Sequence, residues 1–350
     1  MACTVTLERT MTITKRDGQF LVSLIKDETK KEKSHNGCKC DLVNYNSLPD
    51  FLKHNEFVVN YYRSEWPLKQ TILSIFSIHN ETLNIWTHLI GFLIFLTLAT
   101  TLMVSIDTGF QTSTSLSSVS NSSIPLKLHQ ELLVLPTFEA NLTDEHRTIQ
   151  SIARWPFYAY LAGAMFCLLI SSACHLLSCH SEHTCYVMLR LDYAGISALI
   201  VTSFYPLVYY TFTCDPFFRN LYMGFITVFG LASVLVSLVP VFERPEFRMV
   251  RTGLFVCMAF SGLVPIMHKT VAFGDRPEAI ITTLYELMML SLYGIGVIVY
   301  ALRIPERWLP GKFDLIGHSH QLWHVLVIAG AYTHYLAGLV YLSWRDIERC

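Results

Sequence analysis

Charge is what this chain has least of. Only 15% of its 350 residues are Asp, Glu, Lys or Arg, against about 25% in an average soluble domain, while 52% are hydrophobic. A soluble chain of this length needs charge to solvate its surface. Here the charge collects before about residue 80 and in short breaks between long apolar runs. That distribution excludes a water-soluble globule and calls for helices solvated by lipid. The opening stretch MACTVTLERTMTITKRDG lacks the apolar core of a secretory signal, and the run from Phe20 to Ile25 is too short to supply one. The first long apolar span is therefore expected to act as the targeting signal. A net charge of −1 leaves no electrostatic footprint for a nucleic-acid partner. The ten cysteines form no disulfide framework. Cys167 and Cys257 fall in apolar runs, where a thiol packs as a small apolar group. Cys38 and Cys40 alone are too few for zinc.

What is present is a series of apolar runs. A spanning helix needs about 20 mainly apolar residues, and seven segments qualify: 84–106, 155–178, 189–212, 219–241, 250–268, 279–302 and 321–343. Each must be helical, because the hydrocarbon core offers backbone groups no water. The expected fold is all-α, a polytopic seven-transmembrane bundle over 84–343. A polar tail (1–56) and an interfacial amphipathic helix (57–82) precede it, and a short tail (344–350) follows. The long connection over 107–153 is Ser/Thr-rich and carries glycosylation sequons at Asn121 and Asn141. Basic residues in the loops divide almost evenly between the two sides. Lys53, Arg63 and Lys69 before the first span tip the balance towards a cytoplasmic amino terminus and an extracytoplasmic carboxyl terminus. The sequons then fall outside. The ending DIERC carries no retrieval signal, which favours the plasma membrane over internal membranes.

The strongest local signal is His320-Gln-Leu-Trp-His324, opening the last span. Residues four apart share a helix face, so both imidazoles can reach one ion. Taken alone, that spacing is a weak signal. His175, however, closes span two in Ser171-Ser-Ala-Cys-His175, and Asp192 opens span three in LDYAG. With alternating spans, all of these lie at one depth, in the cytoplasmic third. Three imidazoles suit Zn2+ and leave a fourth position open, as in catalytic sites. Asp192 would then orient a water or move its proton, with Ser171 supporting it from one turn before His175. The other candidates have plainer readings. His180 and His183, with Cys179 and Cys185, read as a solvated loop, and His318 does not pair with His324 at the four-residue spacing. His88, His268 and His334 read as hydrogen-bonded packing residues. Cys214 and Cys350 fall on the same outer side and could pair, without a reason to prefer that they do.

The stretches SIHNETLNIWTHLIGF, SSACHLLSCHSE, LDYAGI, RTGLFV, SGLVPIMH, RIPERWLPGKFD and SHQLWHVLV resemble the progestin and adipoQ receptor family, which includes adiponectin receptors. The likeness runs from about residue 40 to the end. The upstream LPDFLKHNEFVVNYYRSEWPLK and the long first loop are most similar to the plant heptahelical branch. The resemblance implies a seven-helix bundle with an inside amino terminus and zinc held by three histidines. The Ser-x3-His, Asp and His-x3-His pattern is also that of alkaline ceramidases, and Ser171, His175, Asp192, His320 and His324 match it. Two functions follow as expectations. One is a receptor-like signalling protein coupled to an extracellular or membrane-borne ligand, with the plant likeness implying hormone- and stress-linked signalling. The other is a zinc-dependent hydrolase of a membrane lipid amide such as ceramide. The long first loop departs from the animal receptors, so an adiponectin-like ligand does not carry over.

Overall fold

A computed structural model describes residues 40–116, 152–239 and 248–350, with a strand pair near the amino terminus. In that pair β1 (Ile13–Arg16) runs antiparallel to β2 (Gln19–Val22), with Ile13 opposite Val22. From residue 40 the chain is largely irregular around a small core of Leu48, Leu52, Val58 and Tyr62, closed by Cys185. Over 57–82, where one interfacial helix is expected, helix is confined to α1 (Leu68–Leu73) and a single 3-10 turn, Ser74–Phe76. The reason is local. Val59 and Asn60 give their amides to the Asp314 carboxylate, at 2.9 and 3.0 Å. Tyr61 and Glu65 take left-handed φ values of 67° and 52°, and Pro67 has no N–H to give. Leu68, Ile72, Leu73, Phe76 and Ile78 remain exposed in and just after α1.

Among the described residues eight helices make the bundle: α2 (Thr82–Leu116), α3 (Trp155–Leu177), α4 (Glu182–Thr211), α5 (Pro216–Leu238), α6 (Arg248–Ser261), α7 (Leu263–Ala272), α8 (Pro277–Leu302) and α9 (Ser319–Ile347). Six of them, α2 to α5, α8 and α9, are long and apolar enough to cross a membrane. The remaining span, expected over 250–268, is built from α6 and α7 in series. Gly262 interrupts it, and Pro265 both lacks a donor and crowds the carbonyl four residues earlier. Phe204 closes on the break: a Cβ at position 262 would lie 2.8 Å from its Cζ. Caps also account for helices that begin before their apolar runs. The Ser181 hydroxyl accepts from the Thr184 amide ahead of Glu182 in the first turn of α4, and Asp215 with Pro216 opens α5.

The core lies between α3, α4 and α9, where Phe157, Tyr160, Leu168, Val208, Tyr341 and Trp344 are buried. Close approach between α9 and α3 depends on Gly338, whose missing Cβ would stand 2.1 Å from the Phe157 ring. Small residues at helix crossings are how membrane bundles gain packing where lipid competes equally for apolar side chains. Outward-facing residues of α5 and α8, such as Leu221, Val228, Leu284 and Ile295, are exposed, as a lipid-covered surface requires.

At the bundle end reached by the last turns of α9, Lys269 is wholly buried and donates to Glu286 (2.6 Å), Tyr341 (2.7 Å) and Thr282 (3.0 Å). Tyr341 donates in turn to the other Glu286 oxygen at 2.6 Å. Arg345 donates to the Tyr210 and Thr211 carbonyls, satisfying the last turn of α4. Cys214 and Cys350 are joined by a disulfide, which settles the pairing that the chain alone left open.

Candidate metal centre

His320 and His324 stand on the first two turns of α9, and His175 on the last turn of α3. The ring atoms they can offer lie within 4.8 Å of one another, the one such group of three among the described residues. His175 Nε2 and His320 Nε2 face each other at 3.1 Å. That is close to the ~3.3 Å separating two nitrogens bound at about 2.0 Å to one tetrahedral ion. The ends of both helices are anchored by side chains from elsewhere. Arg63 donates to the His175 carbonyl (2.7 Å) and the Leu176 carbonyl (3.0 Å), capping α3. The Glu306 carboxylate accepts from the Ser319 amide at 2.7 Å and from the Ser319 hydroxyl, placing a negative charge at the α9 amino end.

Residues at the start of α2 engage two of the three rings, His175 and His324. Glu81, just before α2, accepts from His175 Nδ1 at 2.7 Å, which leaves His175 Nε2 as the lone-pair donor. Burial works against charge on Glu81. The facing His175 and the Asn84 amide nonetheless hold its carboxyl well below the usual range. The Glu81 backbone is fixed by His79, whose Nδ1 accepts from the Glu81 amide while its Nε2 donates to the Ser74 carbonyl. Burial lowers the His79 imidazole to about 4, so it stays neutral in that bridge. His324 Nδ1 lies 3.2 Å from the Asn84 carbonyl and 3.3 Å from the Thr87 hydroxyl, which again leaves Nε2 free. Three neutral imidazole nitrogens, two of them with their second nitrogens engaged, fit Zn2+ as a donor set.

Asp192 is not part of the converging group. Its carboxylate lies within the electrostatic reach of His175 and Ser171, beside the rings. Ser171 is buried on α3, one turn before His175. The five residues singled out in the chain are thus neighbours, three as possible ligands and two alongside. Asn121 and Asn141 lie outside the described residues. The histidines read as packing residues divide. His334 donates to the Ser203 carbonyl at 2.7 Å, and His268 Nδ1 meets the Tyr222 hydroxyl at 3.1 Å. His88 is buried but makes no hydrogen bond; it stacks on His324 instead. His180 bonds the Trp66 carbonyl rather than standing in solvent, while His183 is exposed. The sequence assigns no role to Glu81, Asn84 or Thr87 and reads Arg63 only as a charge flanking the first span, although Glu81-Thr-Leu-Asn84 with Thr87 and His88 spaces polar groups along one helical face.

Residues 76–335 match the family described as haemolysin-III related. The chain is 56% identical to heptahelical transmembrane protein 4 of Arabidopsis thaliana, over 89% of this chain and 91% of the relative. A heptahelical transmembrane protein of Oryza sativa subsp. japonica is 47% identical, over 93% of this chain and 96% of its own length. The adiponectin receptor protein of Drosophila melanogaster is 34% identical, over 84% of this chain and 58% of its own length.

Proposed function

The chain belongs to the haemolysin-III-related family of multi-pass membrane proteins, with heptahelical and adiponectin receptor relatives, and from that premise we propose a signalling protein built around an intramembrane Zn2+ centre. The observation that carries the proposal is the convergence of His175, His320 and His324 from two helix ends, with Glu81 and the Asn84 carbonyl engaging second ring nitrogens. A centre joining α3 to α9, and reached by α2, can transmit a change at one helix to the others. Likeness to the plant relatives favours hormone- and stress-linked signalling, with an extracellular or membrane-borne ligand. The amino terminus is cytoplasmic in this reading. Lys53, Arg63 and Lys69 precede the first span, and the disulfide at the opposite end suits an oxidising compartment. The plasma membrane is the proposed location.

A second reading, hydrolysis of a lipid amide such as ceramide, is favoured by one further observation. Asp192 and Ser171 sit beside the rings without belonging to the ligand set. Bound zinc supplies a Lewis acid that polarises a carbonyl and lowers the pKa of water to about 7. In this reading Asp192 orients the water or takes its proton, and Ser171 supports it from one turn before His175. The bundle interior then holds the acyl chain.

Elemental analysis of the detergent-purified chain tests the centre. About one zinc per chain is expected, lost in His320→Ala/His324→Ala; a metal-free wild type refutes it. Fatty acid release from ceramide by wild type and by Asp192→Ala separates the readings. Equal background release from both leaves signalling alone.

A further inference from the structure

His175 and His324 are held very differently. The His175 ring is fixed by a 2.7 Å bond to a carboxylate, a short charge-assisted interaction that sets tautomer and orientation together. His324 Nδ1 has two neutral oxygens instead, at 3.2 and 3.3 Å, and bonds of that length constrain a ring weakly. The main contact on its face is His88, on the second turn of α2. The two ring centroids are 3.6 Å apart and the planes 10° from parallel.

His88 is 3% exposed, and neither of its ring nitrogens meets a hydrogen-bond partner. Burying two polar nitrogens without partners is unfavourable, and a leucine would fill a similar space without that cost. The imidazole is therefore unexplained as mere filling. Nor does its geometry suit a fourth ligand. Imidazole lone pairs lie in the ring plane, so those of two parallel rings run side by side rather than meeting at one point. What the stack does offer is an aromatic face. A metal-bound imidazole takes on positive charge, and the face of a neutral aromatic ring attracts such charge. That attraction also resists rotation of His324.

We propose that His88 is a positioning residue of the metal centre, whose stacked ring holds His324 in ligating orientation and stabilises it when it carries metal. The proposal rests on the three-histidine zinc reading. It assigns the stack the role for His324 that the Glu81 carboxylate has for His175.

The test is zinc affinity of the full-length chain in detergent, measured by competition with a chelator, for wild type, His88→Phe, His88→Leu and His88→Asn. Phe keeps an aromatic face, Leu keeps bulk alone, and Asn keeps polarity alone. His88→Phe should stay within about 3-fold of wild type, while Leu and Asn should weaken binding about 10- to 100-fold, the range for groups that orient metal ligands. The visible absorption of the Co2+-loaded protein gives a second readout. Its bands should shift in Leu and Asn but not in Phe, and they report only the loaded fraction, so a poorly folding variant still answers. Wild-type affinity and spectrum in His88→Leu would overturn the inference alone. Retention in Asn with loss in Phe would overturn it in favour of a role for the ring nitrogens. A wild type that binds no zinc would overturn the centre itself, and this inference with it.

Discussion

Removing the Glu81 carboxylate tests whether the polar groups of α2 belong to the metal centre or merely pack against it. Its Oε2 lies 2.7 Å from His175 Nδ1, with the Asn84 amide at 2.6 Å as a second donor. A hydrogen bond to a charged group is worth about 1.5–3 kcal/mol net. The Glu81 side chain is 32% exposed, and partial solvent screening favours the lower part of that range, about 1.5–2 kcal/mol. At about 1.4 kcal/mol per tenfold, Glu81→Ala should weaken zinc binding roughly 10- to 30-fold. Glu81→Gln keeps a neutral acceptor of about half the strength, so its loss should be roughly 3- to 5-fold. The hold on His324 should survive both changes, since it comes from the stacked His88 ring, the Asn84 backbone carbonyl and Thr87 rather than from the Asn84 amide. The assay is competition with a metal chelator in detergent, followed through zinc content at equilibrium. An affinity within 2-fold of wild type for Glu81→Ala would refute the reasoning, as would a Gln variant weaker than Ala.

The Lys269–Glu286 pair is wholly buried, so Lys269→Met should lower stability by about 3–5 kcal/mol, because an unpaired carboxylate is left inside; adding Glu286→Leu should recover much of it, as read by thermal aggregation in detergent. Cys214→Ser should leave Cys350 open to thiol alkylation by mass spectrometry and lower thermal stability by about 2–4 kcal/mol, since the bond closes a loop of 136 residues. A tail still unreactive in that variant would contradict the pairing. Gly338→Ala drives a methyl to 2.1 Å from the Phe157 ring and should cost about 1–3 kcal/mol by overpacking, whereas Gly294→Ala, with open space around it, should be neutral or slightly stabilising. Equal melting of the two variants would remove Gly338 from the helix crossing.

Membrane class and helical fold were legible because they rest on local composition. Runs of about 20 apolar residues can be satisfied only by helices in lipid, whatever their neighbours do. The pairing of His320 with His324 was legible for the same reason, since a four-residue spacing fixes a shared face once a helix exists. His175 needed one step more: the alternation of spans put the end of one at the depth where another begins. The interruption at Gly262 escaped because hydropathy sums across it, although Gly262 and Pro265 each carried the local signal. The interfacial stretch was misjudged for the opposite reason. Its composition suits a helix, but the Asp314 carboxylate draws off the Val59 and Asn60 amides across more than 250 positions.

The sequence by itself determined the solvent, the helical class and three ligand candidates, because hydrophobicity and helical periodicity act within a single segment. Only tertiary structure decided how those candidates are held. The Glu81 carboxylate on His175, the His88 ring on His324, the Arg63 cap on α3 and the Cys214–Cys350 bond each join groups from separate segments. Such pairings depend on which helix faces meet, and that is set by side-chain packing between helices rather than by any property of one segment.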